Sequence, residues 1–224
     1  QATIHGSIIS NTSIDKNFEG EIEIKIFDQL VSKKTLNNEG KVSALEYDSQ
    51  SSLLFKGKAQ VTKGQYKCDI ILPISTLSSF GEGKISLYAV NSTQEDAAGY
   101  NKEYIIGGID KSAPDDNEGP NIEIYLNDTT FSFGDRVLPS PYLIAKLSDN
   151  SGINITSNNI ENNIVAVVNK SSEYEFLLND AYNTDMNTYK SGSIVYQLDE
   201  LGNGLHSLVL SASDNHNNRK SQYT

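Results

Sequence analysis

The most regular pattern in the chain is Glu21-Ile22-Glu23-Ile24-Lys25-Ile26. Apolar and charged residues alternate with period two, which predicts a strand with one buried and one wet face. The same period recurs at Tyr66, Cys68, Ile70 and Leu72, at Ile122, Ile124 and Leu126, at Ile194, Tyr196 and Leu198, and at His206, Leu208, Leu210 and Ala212. Residues 53–61, 84–90, 103–108 and 173–179 read as further strands. Ile164-Val165-Ala166-Val167-Val168 lacks polar alternation and predicts a strand covered on both faces or nearly so. Thr62-Lys63-Gly64-Gln65, between two apolar runs, predicts a hairpin turn with Gly available for positive φ. Pro73 ends the second of those strands. Residues 11–20, 31–52, 91–101 and 181–191 are polar and read as loops. Helix signals are confined to one-turn pieces near residues 75–79 and 161–163.

Near the midpoint lies Pro114-Asp115-Asp116-Asn117-Glu118-Gly119-Pro120. About seven short strands fall on each side of it, with turn residues between them. The expected fold is all-β: two tandem immunoglobulin-like β-sandwich domains. The expected boundaries are residues 1–113 for the first domain, 114–120 for an acidic linker bounded by Pro, and 121–224 for the second domain. The two halves show no clear sequence repeat.

Composition narrows the function classes. The net charge is -11, with 18 Lys and Arg against 29 Asp and Glu. Phosphate backbones need clustered bases, so nucleic acid is not an expected partner. No apolar run of about 18 residues occurs, so no transmembrane helix is expected, nor direct membrane insertion. Cys68 is the single cysteine, which excludes an intramolecular disulfide. The start at Gln1, without Met, suggests a segment of a longer protein.

No catalytic constellation is legible. Cys68 sits mid-strand on an apolar face and reads as a small buried hydrophobe. His206 reads as a packing residue and His216 as a solvated turn residue. No pair of His has zinc-ligand spacing, and no Gly-rich phosphate loop or nucleophile elbow is present. Asp214, with Asn217 and Asn218, reads as an Asx turn closing a strand. The linker is different. Asp115, Asp116, Asn117 and Glu118 supply hard oxygen donors of the type calcium takes, and an acidic Asp-Asn run before Pro resembles the calcium-binding linkers of cadherins. No motif fixes a cofactor; calcium is the one ion these residues suggest, with Asp128, Asp149 and Asp214 as candidate partners from elsewhere in the chain.

Several segments in series resemble one family, the PorU-type sortases of the type IX secretion system, which are gingipain-like cysteine peptidases. The segments are Leu54-Phe55-Lys56-Gly57-Lys58-Ala59-Gln60-Val61-Thr62-Lys63-Gly64-Gln65-Tyr66, Phe80-Gly81-Glu82-Gly83-Lys84-Ile85-Ser86-Leu87-Tyr88-Ala89, Asp96-Ala97-Ala98-Gly99-Tyr100-Asn101 with Ile105-Ile106-Gly107-Gly108, Asp116-Asn117-Glu118-Gly119-Pro120, Ser148-Asp149-Asn150-Ser151-Gly152-Ile153-Asn154, and Leu178-Asn179-Asp180-Ala181-Tyr182. They run in order from about residue 50 onward. The resemblance implies a surface-exposed protein of a Gram-negative bacterium, located at the outer membrane on its extracellular side. The full-length enzyme would cleave the C-terminal signal of secreted cargo and help anchor it. It further implies that this chain is the non-catalytic region downstream of the peptidase domain. Its expected partners are that upstream domain, secreted cargo proteins and other secretion-system components. No active-site residue carries over, because Cys68 matches a core strand. The alternative reading is an adhesin-like or carbohydrate-binding β-sandwich array, with the Tyr-rich loop from Tyr182 to Tyr189 as a sugar platform.

Overall fold

The computed structural model describes residues 1–36, 38, 40, 43–74, 80–110, 113–156 and 160–224. The first half contains β1 (Ala2–Ser7), β2 (Ile9–Ser10), β3 (Ser13–Ile14), β4 (Gly20–Phe27), β5 (Val31–Lys34), β6 (Glu46–Ser49), β7 (Leu53–Val61), β8 (Gln65–Ile70), β9 (Gly81–Glu82), β10 (Lys84–Asn91), β11 (Asp96–Asn101) and β12 (Ile105–Ile106). The second contains β13 (Asn121–Leu126), β14 (Tyr142–Ser148), β15 (Val165–Val168), β16 (Glu175–Leu177), β17 (Tyr182–Thr184), β18 (Ser191–Gln197), β19 (Leu208–Ser213) and β20 (Arg219–Tyr223). The fold is all-β. Its helical turns among the described residues are 3₁₀, at Ile160–Asn162 and Ser172–Tyr174. The one-turn piece expected near residues 75–79 lies outside the described residues.

Strand β4 takes an inner place in the sheet β11-β10-β4-β7. Its alternation explains why. Ile22, Ile24 and Ile26 are at most 2% exposed, which by area transfer stabilises the half by roughly 5–9 kcal/mol. The other face is wet. There Glu21 meets Lys58 at 3.6 Å and Glu23 meets Lys25 at 2.6 Å, pairs worth about 0–1 kcal/mol each in solvent.

The expected hairpin is corrected by the structure. The turn forms, with Lys63 and Gly64 at φ 50° and 70°. A Cβ on Gly64 would come within 2.2 Å of the Asp15 carbonyl oxygen, so both φ and space require glycine there. Beyond the Thr62–Gln65 bridge, however, β7 pairs with β4 and β8 pairs with β1. The chain changes layer at the turn. Two strands side by side would leave their apolar faces in one layer with nothing above. Crossing over brings Tyr66, Cys68 and Ile70 of β8 into one core with Ala59 and Val61 of β7 and the isoleucines of β4.

All four expected loops contain strands: β3 lies within residues 11–20 and β17 within residues 181–191, and the other two hold longer pairs. Within residues 31–52, β5 pairs with β6, and nearly all of their residues are exposed. Within residues 91–101, β11 pairs with β10 along its whole length. Its residues, Asp96 to Asn101, are exposed except Ala97, which suits an edge strand with little to bury. The strand expected over residues 103–108 shrinks to Ile105–Ile106, paired with Gly81–Glu82.

In the second half, sheets β13-β14-β18-β17 and β16-β15-β19-β20 share one core. The predicted period is visible in Leu208, Leu210 and Ala212 of β19, and Leu143, Ala145 and Leu147 of β14 show the same alternation, all at most 4% exposed. Strand β15 is buried on one face only: Ala166 and Val168 are inside, whereas Val165 and Val167 are half-buried.

The halves meet through more than the linker. Strand β7 ends one sheet, and the loop after β17 closes over that edge. Asn187 donates its N–H to the Lys58 carbonyl at 2.9 Å, and its side-chain oxygen accepts from the Gln60 N–H at 2.8 Å. Lys58 and Met186 form a parallel bridge. Lys56 Nζ donates to Asn183 Oδ1 at 3.0 Å. Apolar residues cross as well: Leu53 packs on the second core and Tyr189 on the first. An edge that would otherwise present unpaired N–H and C=O groups is thereby covered.

Candidate functional site

Two turns of the second half converge on the linker. Strand β14 ends at Ser148, and Asp149 opens an Asx turn in which its Oδ1 accepts the Ser151 N–H at 2.7 Å. Gly152 follows at φ 78°, where a Cβ would press on Asn215 Nδ2 and the Tyr189 carbonyl at 2.9 Å. Strand β19 ends at Ser213, and Asp214 forms the Asx turn that its sequence predicts. Its Oδ1 accepts from the N–H groups of His216 at 2.9 Å and Asn218 at 2.7 Å, and its Oδ2 from Asn218 Nδ2 at 2.8 Å. The two turns interlock through Asn215, whose Nδ2 donates to the Ser151 carbonyl at 2.8 Å. Asp116 is tied to both: the Ser151 hydroxyl donates to its Oδ2, and Asn218 Nδ2 donates to its backbone carbonyl at 3.0 Å.

The result is a cluster in which one carboxylate oxygen each from Asp116, Asp149 and Asp214 lies within 4.8 Å of the other two. Asp214 is fully buried; Asp116 and Asp149 are half-buried. Burial pushes the Asp149 carboxyl up to about 6, with the charges of Asp214 and Asp116 adding to it against the Ser151 N–H and His216. Asp116 is held below the ordinary carboxylate range, chiefly by the Ser151 hydroxyl and then by the Glu118 N–H. Chemically, such a trio can share a proton or hold a hard cation.

Of the linker residues expected as ligands, Asp116 alone enters the cluster. Asp115, Asn117 and Glu118 are exposed and stand outside it. Two of the three candidate partners, Asp149 and Asp214, are brought in. Asp128 is not; its carboxylate caps its own turn, accepting from the Thr130 N–H and hydroxyl. Ser151 was missed by sequence reasoning, although Asp149-Asn150-Ser151-Gly152 carries the signature of an Asx turn.

The remaining candidates take structural places. Cys68 is 3% exposed, and burial pushes its thiol up to about 11. It lies opposite Ile4 in the register, and the neighbouring His5 is exposed on the other face, so the two do not form a nucleophile–base pair. His206 Nδ1 accepts from Asn169 Nδ2 at 2.9 Å, while Nε2 donates to the Gly202 carbonyl at 2.7 Å. Tyr182, expected on a sugar-binding loop, is 1% exposed and belongs to the second core. Its ring covers Gly192, where a Cβ would fall within 2.6 Å of it.

No family model matches the chain, and no curated protein matches it. Among solved structures, the crystal structure of dimeric latent PorU from Porphyromonas gingivalis matches 99% of this chain at 27% identity, with a TM-score of 0.51. The match spans 21% of the PorU chain. In fold and in sequence, this all-β chain is therefore similar to a region of PorU that makes up about a fifth of that structure.

Proposed function

We propose that the chain is a non-catalytic accessory region of a cell-surface, gingipain-like cysteine peptidase of the type IX secretion sortase group. In this reading it is a tandem of immunoglobulin-like sandwiches downstream of the peptidase domain. The parent enzyme processes and anchors secreted proteins at the outer membrane of a Gram-negative bacterium. The observation that carries the reading is the match to PorU along essentially the whole chain, at an identity above what fold alone brings. The placement of Cys68 in a core strand, with His5 exposed on the other face, agrees with a supporting role. In this reading the two cores, clipped together by Asn187 on β7, form a spacer that orients the peptidase domain toward cargo or toward other secretion components.

The test uses the parent protein in its own cell. Peptide mass mapping of the native protein should find an α/β domain with a Cys and a His upstream of Gln1. Deleting the segment corresponding to this chain should leave secreted cargo with its C-terminal signal uncleaved. Cargo processed at the normal rate by the deleted enzyme would sink the accessory role. Further β-sandwiches upstream, with no peptidase domain, would replace it with the adhesin reading.

A further inference from the structure

At one end of the second half, loops of residues 127–141 and 198–207 enclose a cavity of about 850 Å³. Its floor is the open end of the second core: Leu126, Val168, Leu198 and Leu208 line the cavity and belong to that core or pack on it. Its rim carries Phe133, Leu138 and Leu205, which are 87%, 61% and 96% exposed. Three large apolar side chains standing in water around an apolar floor are unfavourable unless something covers them. The size falls in the range of small-molecule sites.

The polar lining narrows the occupant. Both nitrogens of His206 are engaged. Asp135 Oδ2 accepts the Ser132 N–H at 2.7 Å. Arg136 lines the cavity and makes no hydrogen bond or ion pair with any described residue. Arg136 is the one Arg or Lys of the lining, and the one acidic side chain there, Asp135, turns Oδ2 to its own loop, which leaves the guanidinium to receive charge from a ligand.

We propose that this cavity binds an aliphatic carboxylate of the fatty-acid type, its chain on Leu126, Leu198 and Leu208 and its carboxylate on Arg136. The planar guanidinium fork matches a carboxylate bidentately. A cationic amphiphile would have to displace Asp135 from the Ser132 N–H to find a partner, and a neutral one would leave the guanidinium unmatched. The site is independent of the accessory role proposed above.

Isothermal titration calorimetry of the whole chain with dodecanoate, below the concentration at which it self-associates, tests the proposal. Saturable binding is expected, with no binding of dodecyltrimethylammonium. Arg136→Gln should weaken dodecanoate about tenfold, as loss of one charge-assisted contact implies. Phe133→Glu and Leu205→Glu, both at exposed positions where folding is not at stake, should weaken it at least as much. The proposal is overturned if dodecanoate does not saturate, if the ammonium amphiphile binds equally, or if Arg136→Gln binds as the parent does. Tighter binding of an N-acetylated apolar tripeptide with a free carboxylate would reassign the cavity to a peptide terminus.

Discussion

Replacing Asp149 by Asn should make the protein more stable at neutral pH and nearly unchanged at pH 4. The carboxyl of Asp149 is moved from 3.8 to about 6 by burial and by Asp214 and Asp116. In its ionised form that corresponds to about 3 kcal/mol of lost solvation and repulsion. The group is half-buried, so solvent screening reduces this to about 1.5 kcal/mol. The sign follows from linkage: the folded state binds this proton more tightly than the unfolded one. The associated stability is fully present below about pH 4 and falls as pH rises through about 6. Asp116, held below the ordinary range, acts oppositely. Its contribution is present above the unfolded value and is lost on further acidification, so it does not mask the window between pH 4 and 6. The amide oxygen of the variant side chain would still accept the Ser151 N–H, which Asp149 Oδ1 accepts at 2.7 Å. Its amide protons would turn toward the other two carboxylates. Because the chain carries 29 acids, the informative quantity is the difference between the two proteins. Melting curves from pH 4 to 7.5 should show the variant gaining about 3–6 °C at the upper end. Parallel curves across the range would refute the placement of Asp149 among like charges.

Calcium at about ten times its Kd should stabilise the parent protein by about 1.4 kcal/mol, or roughly 3–6 °C, and should leave Asp149→Asn unmoved. A flat melting temperature at millimolar calcium, the scale of extracellular sites, removes calcium from the cluster. At the joint between the halves, Asn187 has φ 61° and accepts the Gln60 N–H. Asn187→Ala should cost about 2 kcal/mol, from the lost hydrogen bond plus a left-handed backbone, and Asn187→Gly about 1 kcal/mol. Both should speed hydrogen exchange at the Gln60 amide; equal losses for Ala and Gly would refute the backbone part of the argument. The Cys68 thiol, buried and pushed up to about 11, should react with maleimide only after unfolding, and fast labelling of the native chain would contradict its place in the core.

What the candidate site owed to sequence is limited and specific. The linker acids announced hard oxygen chemistry, but their adjacency did not predict which of them would meet. Asp116 turns inward because Ser151 and Asn218, 35 and 102 positions later, bind it. Its neighbours Asp115 and Asn117, with the same chemistry, stay in water. Likewise, Asp149 and Asp214 are each legible as turn residues, yet their proximity depends on where β14 and β19 end.

By itself the sequence determined which segments are strands and which faces are dry, wherever burial is one-sided. Glu21 to Ile26 and Leu208 to Ala212 could be read directly, because a period of two maps each residue to one face of a pleated strand. Strands that bury little, such as β5, β6 and β11, left no such trace; the pairing of their backbones carries no side-chain signature. Tertiary structure decided the rest. It sent β8 into a second layer instead of a hairpin, because only that layering covers Ala59 and Val61. It drew Tyr182 from an apparently polar loop into the core over Gly192. It set Asn187 on the edge of β7, joining two halves that the Pro-bounded linker made look independent. Each of these rests on contacts between residues far apart in the chain, which no local pattern of hydrophobicity encodes.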